Sequence, residues 1–258
     1  IFGEVARAED LQPQRGFTEV PLGTIADFAY DVRAVFADGA ASGFDALRIR
    51  TGSRTQFRRL EMGSPLQVVE PLDVVDGIDG LVVQLPAAIT ATQNPPIRVV
   101  FAAEIYEFAA TFAGEVFSSR GESLPQPIVA GDAGQSIATN SLRVLSVPGE
   151  FPDYVQELSF STPILTPNGD QIHDDLTITY SLFRLPQKVP VALEIYALDG
   201  HRITRVEIGF QGSGPQQVTW NGRDERGKLL LPGIYLVSVV LDTESGQSPQ
   251  VRPLGIAY

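Results

Sequence analysis

The chain has 258 residues, 43% of them hydrophobic, with no cysteine and a formal net charge of −12. Those figures exclude disulfides, thiol chemistry and cysteine-based zinc sites, argue against nucleic-acid or anionic-membrane partners, and place the chain among globular proteins. No apolar run approaches the roughly 18 residues of a membrane helix, so membrane insertion is not expected.

In chain order, the first segment is Ile1-Phe2-Gly3-Glu4-Val5-Ala6-Arg7-Ala8. It reads as an edge strand or as an arm that adds to a neighbour's sheet, with Ile1, Phe2 and Val5 as its assembly contacts. Next, Phe28 to Phe36 carries apolar residues at every even position. That period of two puts one face of a strand in a core and the other in water. Leu47-Arg48-Ile49-Arg50 alternates in the same way, inside the phrase Gly43 to Ile49. Phe101, Ile105, Phe108 and Phe112 have helical spacing, but Ile97 to Phe101 and Glu115 to Phe117 have strand composition. Two strands are predicted there, with a short helix as the alternative. Gln126 to Asp132 reads as another strand-to-turn joint.

Twenty-four glycines and 19 prolines separate these short runs, the pattern of an all-β sandwich or barrel. Pro148-Gly149-Glu150-Phe151-Pro152 reads as a linker, because proline removes backbone donors and stops strands. Residues 1–157 carry 21 acidic against 11 basic residues, whereas 158–258 carry 10 against 8. Two tandem β-sandwich domains are therefore expected, an acidic one at 1–157 and a second at 158–258. The first could be arranged as a jelly roll.

From Phe160 onward the phrases "FSTPILTPNGDQIHDDLTITYSL", "VALEIYALDGHRI" and "VTWNGRDERGKLLLPGIYLVSVV" follow one another. This stretch resembles the immunoglobulin-like domain of the flagellar hook-cap protein. It is similar also to C-terminal Ig-like modules of bacterial surface and secreted proteins, including those of gliding motility and type IX secretion. The resemblance implies an Ig-like sandwich exposed outside the cell. Its blocks also have local physical reasons. Tyr196 to Gly200 ends a strand at Asp-Gly, a hairpin turn signal. Trp220-Asn221-Gly222 joins a core anchor to a turn, with a sugar-stacking platform as the alternative for Trp220. Asp224 to Gly227 makes a further turn, and Pro232-Gly233 opens a strand over Ile234–Leu241.

Thr166 to Asp175, T-P-N-G-D-Q-I-H-D-D, is the stretch with the most cation-binding groups. The family pattern it resembles is Pro-Asn-Gly-Asp-Gly-x-Asn-Asp, with Gln171 in place of the second glycine and His173 in place of the asparagine. Asn168, Asp170 and Asp174, with the carbonyl of Ile172, have the spacing of a loop that wraps Ca²⁺ in oxygens. The other reading is an Asx-type turn, in which the side-chain oxygens accept backbone amides.

No residue is read as catalytic. The two histidines, His173 and His201, lie in turn sequences, and no Gly-x-Ser-x-Gly elbow is present. Glu104, Glu107 and Glu115 read as solvent-facing charges rather than a glycosidase pair. The sequence points to a non-enzymatic bacterial structural protein, extracellular or on the cell surface. Its expected partners are copies of itself in a filament, layer or appendage. The alternative is the C-terminal sorting or anchoring part of a secreted enzyme, with carbohydrate as the ligand of the first domain.

Overall fold

The structure, a computed structural model, describes residues 1–37, 43–121, 124–134, 136–146, 153–242 and 250–258. The predicted linker Pro148–Pro152 lies outside them. The chain divides into two compact units, Ile1–Gly149 and Glu150–Tyr258. The division falls earlier than the expected 157/158, which would cut through a strand: Val155 and Gln156 already pair with Leu182 and Ser181. The described residues are all strand, turn and loop, and both units are β-sandwiches.

Unit 1 contains β1 (Phe2–Arg7), β2 (Thr18–Val20), β3 (Ile25–Arg33), β4 (Phe44–Arg50), β5 (Thr55–Met62), β6 (Gln67–Val69) and β7 (Asp73–Asp76). It continues with β8 (Gly80–Ile89), β9 (Ile97–Glu104), β10 (Ala109–Thr111), β11 (Ala113–Phe117), β12 (Gln126–Ala130) and β13 (Arg143–Ser146). The main sheet has the order β6-β5-β9-β3-β1-β12-β11-β4-β8-β7. Its halves are joined in the ladder by the short parallel pairing of Phe2 and Gly3 with Val129 and Ala130, and at the far side by the N–H groups of Thr55 and Phe57, which donate to the Gly77 carbonyl and Asp76 Oδ1. They fold face to face around one core that takes Phe28, Tyr30 and Val32 from β3, Leu47 and Ile49 from β4, and Leu81, Val83 and Leu85 from β8. The apolar positions read at 28–36 and 47–50 line the inner face of that sandwich, but β3 ends at Arg33 and its other face is not in water: Ala29 and Asp31 are buried, Ala29 against Ala6 and Ile137. A second sheet, β10-β13-β2, adds Ala110, Val144 and Val20 to the same core.

The ambiguous segment 97–117 becomes three strands, one more than expected, with no helix. Its bulky residues are spaced to converge. Phe28, Phe101 and Phe112 form an aromatic trio with ring centroids 5.0 to 6.2 Å apart, and such pairs add about 0.5–1.5 kcal/mol beyond burial. Phe108 breaks the stripe: it is 47% exposed. Gly114 is needed for close approach, because a Cβ there would stand 2.4 Å from the Tyr30 hydroxyl.

Unit 2 contains β14 (Val155–Phe160), β15 (Ile164–Leu165), β16 (Leu176–Leu182), β17 (Val189–Ala197), β18 (Arg202–Gln211), β19 (Gly214–Trp220), β20 (Gly233–Leu241) and β21 (Val251–Ile256). They form a three-stranded sheet, β14-β16-β19, and a five-stranded sheet, β15-β21-β20-β17-β18. Alternate residues from both, including Ile178, Tyr180, Leu193, Ile195, Val237 and Val239, fill the core. Trp220 is only 4% exposed, and its indole N–H donates to the Arg223 carbonyl at 2.8 Å. It is a core anchor and not a sugar platform. The Asp-Gly signal makes the β17–β18 hairpin, where Gly200 takes φ 85° and His201 N–H donates to Asp199 Oδ1 at 3.0 Å. That positive φ is free of Cβ strain only for glycine.

Candidate functional site

The loop between β15 and β16 gathers the residues proposed for a cation. Its geometry follows from short-range hydrogen bonds. Asn168 Oδ1 accepts the Asp170 N–H at 3.0 Å, and Asp170 Oδ1 accepts the Ile172 N–H at 2.8 Å. Asp174 bridges the loop, with Oδ1 accepting from Gly169 N–H and Oδ2 from Gln171 N–H, each at 2.7 Å. The Ile172 carbonyl accepts the Thr166 hydroxyl at 2.8 Å. Every group named as a cation ligand is thus already an acceptor for the loop's own donors, the arrangement of nested Asx turns. The hydrogen bond from Gly169 foremost, opposed by burial and joined by those from Gln171 and Asn168, holds the Asp174 carboxyl below its usual range. Among the described residues, no group of three or more His, Asp or Glu converges as a metal site.

The two departures from the resembled pattern sit where the backbone is left-handed: Gln171 has φ 68° and His173 φ 57°. Glycine and asparagine are the residues that enter this region most readily. His173 and His201 are both exposed.

The expected assembly segment has a different place from either reading made of it. β1 is neither an edge strand nor a free arm. It runs in the middle of the ten-stranded sheet, antiparallel to β3 from Phe2↔Arg33 to Arg7↔Phe28 and parallel to β12. Val5 is fully buried, Ile1 is half-buried, and Phe2 lies 39% exposed. β3 pairs with the whole of β1 on one side. On the other, β12 pairs with Phe2 and Gly3, while the Val5 N–H donates to the Ser141 carbonyl and the Val5 carbonyl accepts the Thr139 hydroxyl, both at 2.9 Å.

Sequence reading missed a row of charges across that sheet. Glu4, Asp31, Arg98 and Glu61 are register partners on β1, β3, β9 and β5. Arg98 donates to both Asp31 oxygens, at 2.6 and 2.8 Å, and to Ser136 Oγ at 2.5 Å. Glu4, with no exposed surface, accepts backbone N–H groups of Ala133, Gly134 and Asn140 at 2.9 to 3.0 Å. These groups pin Ala133, Gly134, Ser136 and Asn140 onto the sheet. Burial pushes the Asp31 carboxyl up, and the Arg98 hydrogen bonds and charge only partly offset it. No local sequence signal could reveal the row, because its members come from strands far apart in the chain.

The remaining acids divide. Glu115 pairs with Arg48 and Arg50, and Glu104 accepts the Tyr106 hydroxyl at 2.6 Å. Burial raises the Glu107 carboxyl. Glu194 lies on the outer face of the five-stranded sheet between Arg202, Arg205 and Tyr196. Burial pushes it up, but the bonds from Tyr196 and Arg202 prevail and hold it low. A polar cleft of about 500 Å³ opens beside β4, where Asp45 accepts the Ser119 N–H at 2.6 Å and its hydroxyl at 2.7 Å. Gln84 and Arg120 complete its polar wall. Among the described residues no histidine lines it, and the acceptor of the Ser119 hydroxyl is the Asp45 carboxylate.

Comparison with known proteins gives the following likenesses. Dimeric latent PorU from Porphyromonas gingivalis is 14% identical, with TM-score 0.35. The match covers 92% of this chain, which spans only 18% of the PorU chain. The C-terminal domain of the Streptococcus agalactiae AgI/II polypeptide BspA is 8% identical, with TM-score 0.35, and the match covers 99% of this chain and all of that one. The pilus backbone protein RrgB of Streptococcus pneumoniae is 11% identical, with TM-score 0.30, over 99% of this chain and 58% of that one. No curated protein matches the chain. Residues 169–245, from the Gly169 turn through β20, match the family of the FlgD Ig-like domain, and unit 2 is similar to that domain over this span.

Proposed function

We propose that the chain is a non-enzymatic structural protein. It acts outside the cell or on its surface, as a subunit that associates with copies of itself. The observation that carries this reading is the use of its charges. Glu4, Asp31 and Arg98 pin a segment to a sheet, and Asp170 and Asp174 close a turn. Each is a scaffold interaction, as stiff sandwiches require. The match of residues 169–245 to an Ig-like domain supports the same role for unit 2. In this reading Asn168, Asp170, Ile172 and Asp174 form a structural turn that needs no Ca²⁺. Sedimentation velocity over a wide concentration range tests the proposal: growth of large species is expected, and a monomer throughout contradicts it.

One observation favours a second reading, in which unit 1 binds carbohydrate as part of a secreted enzyme. The cleft at Asp45 offers a carboxylate, a hydroxyl, an amide and a guanidinium in one wall, a donor and acceptor set suited to sugar hydroxyls. A glycan array would decide it. Binding that is lost in Asp45→Ala would establish the carbohydrate reading, and an empty array would remove it.

A further inference from the structure

The proposed self-association needs a joint, and the edges of the sheets restrict where it can be. Among the described residues, the edges of unit 1 are short: β6, β10 and β2 have three residues and β7 has four. In unit 2, β15 has two. Three longer edges remain, β14, β18 and β19. β14 has a register shift between Gln156 and Ser159, with Glu157 at φ 59°. The β17–β18 ladder shifts register twice, and β18 carries Arg202, Arg205 and Glu207. Bulges, charges and edge prolines are devices by which proteins blunt an edge. β19 has one proline, Pro215, but neither a bulge nor a charge. It pairs with β16 in unbroken register from Leu176↔Trp220 to Leu182↔Gly214. Its sequence, GPQQVTW, has no charged residue, and neither has β16, LTITYSL. In a chain of net charge −12, this is a surface where two copies can meet with little repulsion.

Pro215 fixes which backbone groups are free. A proline within a sheet turns its nitrogen to the open side. The alternation of the strand then turns Gln217 and Thr219 the same way, and all three side chains are exposed. We propose that β19 pairs antiparallel with β19 of a second copy about a two-fold axis near Gln217–Val218, joining the two three-stranded sheets into one. Two registers keep every free donor paired. Centred on Gln217, the two Gln217 residues exchange both bonds, and each Thr219 N–H reaches the Pro215 carbonyl of the other copy. Centred on Val218, Gln217 and Thr219 exchange bonds across the axis. In either register the missing proline donor leaves no amide unpaired. An isologous contact of this kind closes on itself, so it makes pairs; larger assemblies need a second surface.

This inference rests on the self-association reading, and cysteine cross-linking separates the two. The natural chain has no cysteine, so introduced thiols report alone. The full chain carrying Gln217→Cys, and an equal mixture of Gln217→Cys and Thr219→Cys chains, would be oxidised mildly beside an Arg205→Cys control on β18. Opposed strand residues have Cα atoms about 4.5–5.5 Å apart, within disulfide reach. The expected result is a covalent dimer from Gln217→Cys or from the mixture, and none from the control. Self-association in light scattering without either cross-link would move the joint elsewhere and overturn this inference alone. A monomer in light scattering with no cross-link would overturn both. Retained Trp220 fluorescence establishes that each variant is folded.

Discussion

Gln171→Gly should stabilise unit 2. Gln171 holds φ 68° on an exposed turn, and its backbone N–H, which glycine keeps, donates to Asp174. The left-handed conformation costs an L-residue about 1–2 kcal/mol. Glycine escapes that cost but gives the unfolded chain more freedom, worth about 0.5–1 kcal/mol in the opposite direction. The balance favours the variant by about 0.5–1 kcal/mol. Trp220 makes the assay selective: it is the only tryptophan and it lies in the core of unit 2. Its fluorescence during urea unfolding reports that unit whatever unit 1 does. With a slope of about 1–3 kcal/mol per molar, the midpoint should rise by about 0.2–1 M with the slope unchanged. Gln171→Ala keeps the strain and should show no rise. Equal midpoints for the glycine and alanine variants, or a fall with glycine, would show that Gln171 is not strained there.

Three further outcomes are expected. Asp174 has a folded pKa below its ordinary value of 3.8, so its contribution to stability is present above that value and lost as pH falls through the folded pKa. The midpoint advantage of the natural chain over Asp174→Asn should therefore hold at pH 7 and disappear in acid; a gap independent of pH would remove the role given to that carboxylate. Millimolar calcium should leave the Trp220-reported midpoint unchanged, because the loop's oxygens already accept its amides; a rise would assign the loop to a cation. Arg98→Met leaves Asp31 buried without its partner and should cost unit 1 about 3–5 kcal/mol, read by far-UV circular dichroism on heating. Adding Asp31→Leu should recover much of that loss, and failure to recover any would show that the pair is not what matters there.

The sequence was legible wherever the signal was local. The period of two at Phe28–Phe36 and Leu47–Arg50, the Asp-Gly hairpin at Asp199 and the tryptophan before Asn221-Gly222 each depend on neighbours within a few positions, and the structure has the strands and turns they imply. The Thr166–Asp175 loop was legible as two alternatives, because a carboxylate at a given spacing can serve a cation or an amide equally well. What was hidden is long-range. β1 looks like a terminal strand from its sequence, yet its partners are β3 and, across more than a hundred residues, β12. Glu4, Asp31 and Arg98 stand far apart in the chain, and only strand pairing aligns them in one row. The extra strand β10 was missed because Phe108 continues an apolar stripe in the sequence while pointing largely to solvent.

Electron microscopy of the purified natural protein in negative stain tests the proposed role as a building element. Regular filaments or sheets, or at least uniform two-fold particles as their unit, are expected with and without calcium. Dispersed single chains under every condition would contradict that role.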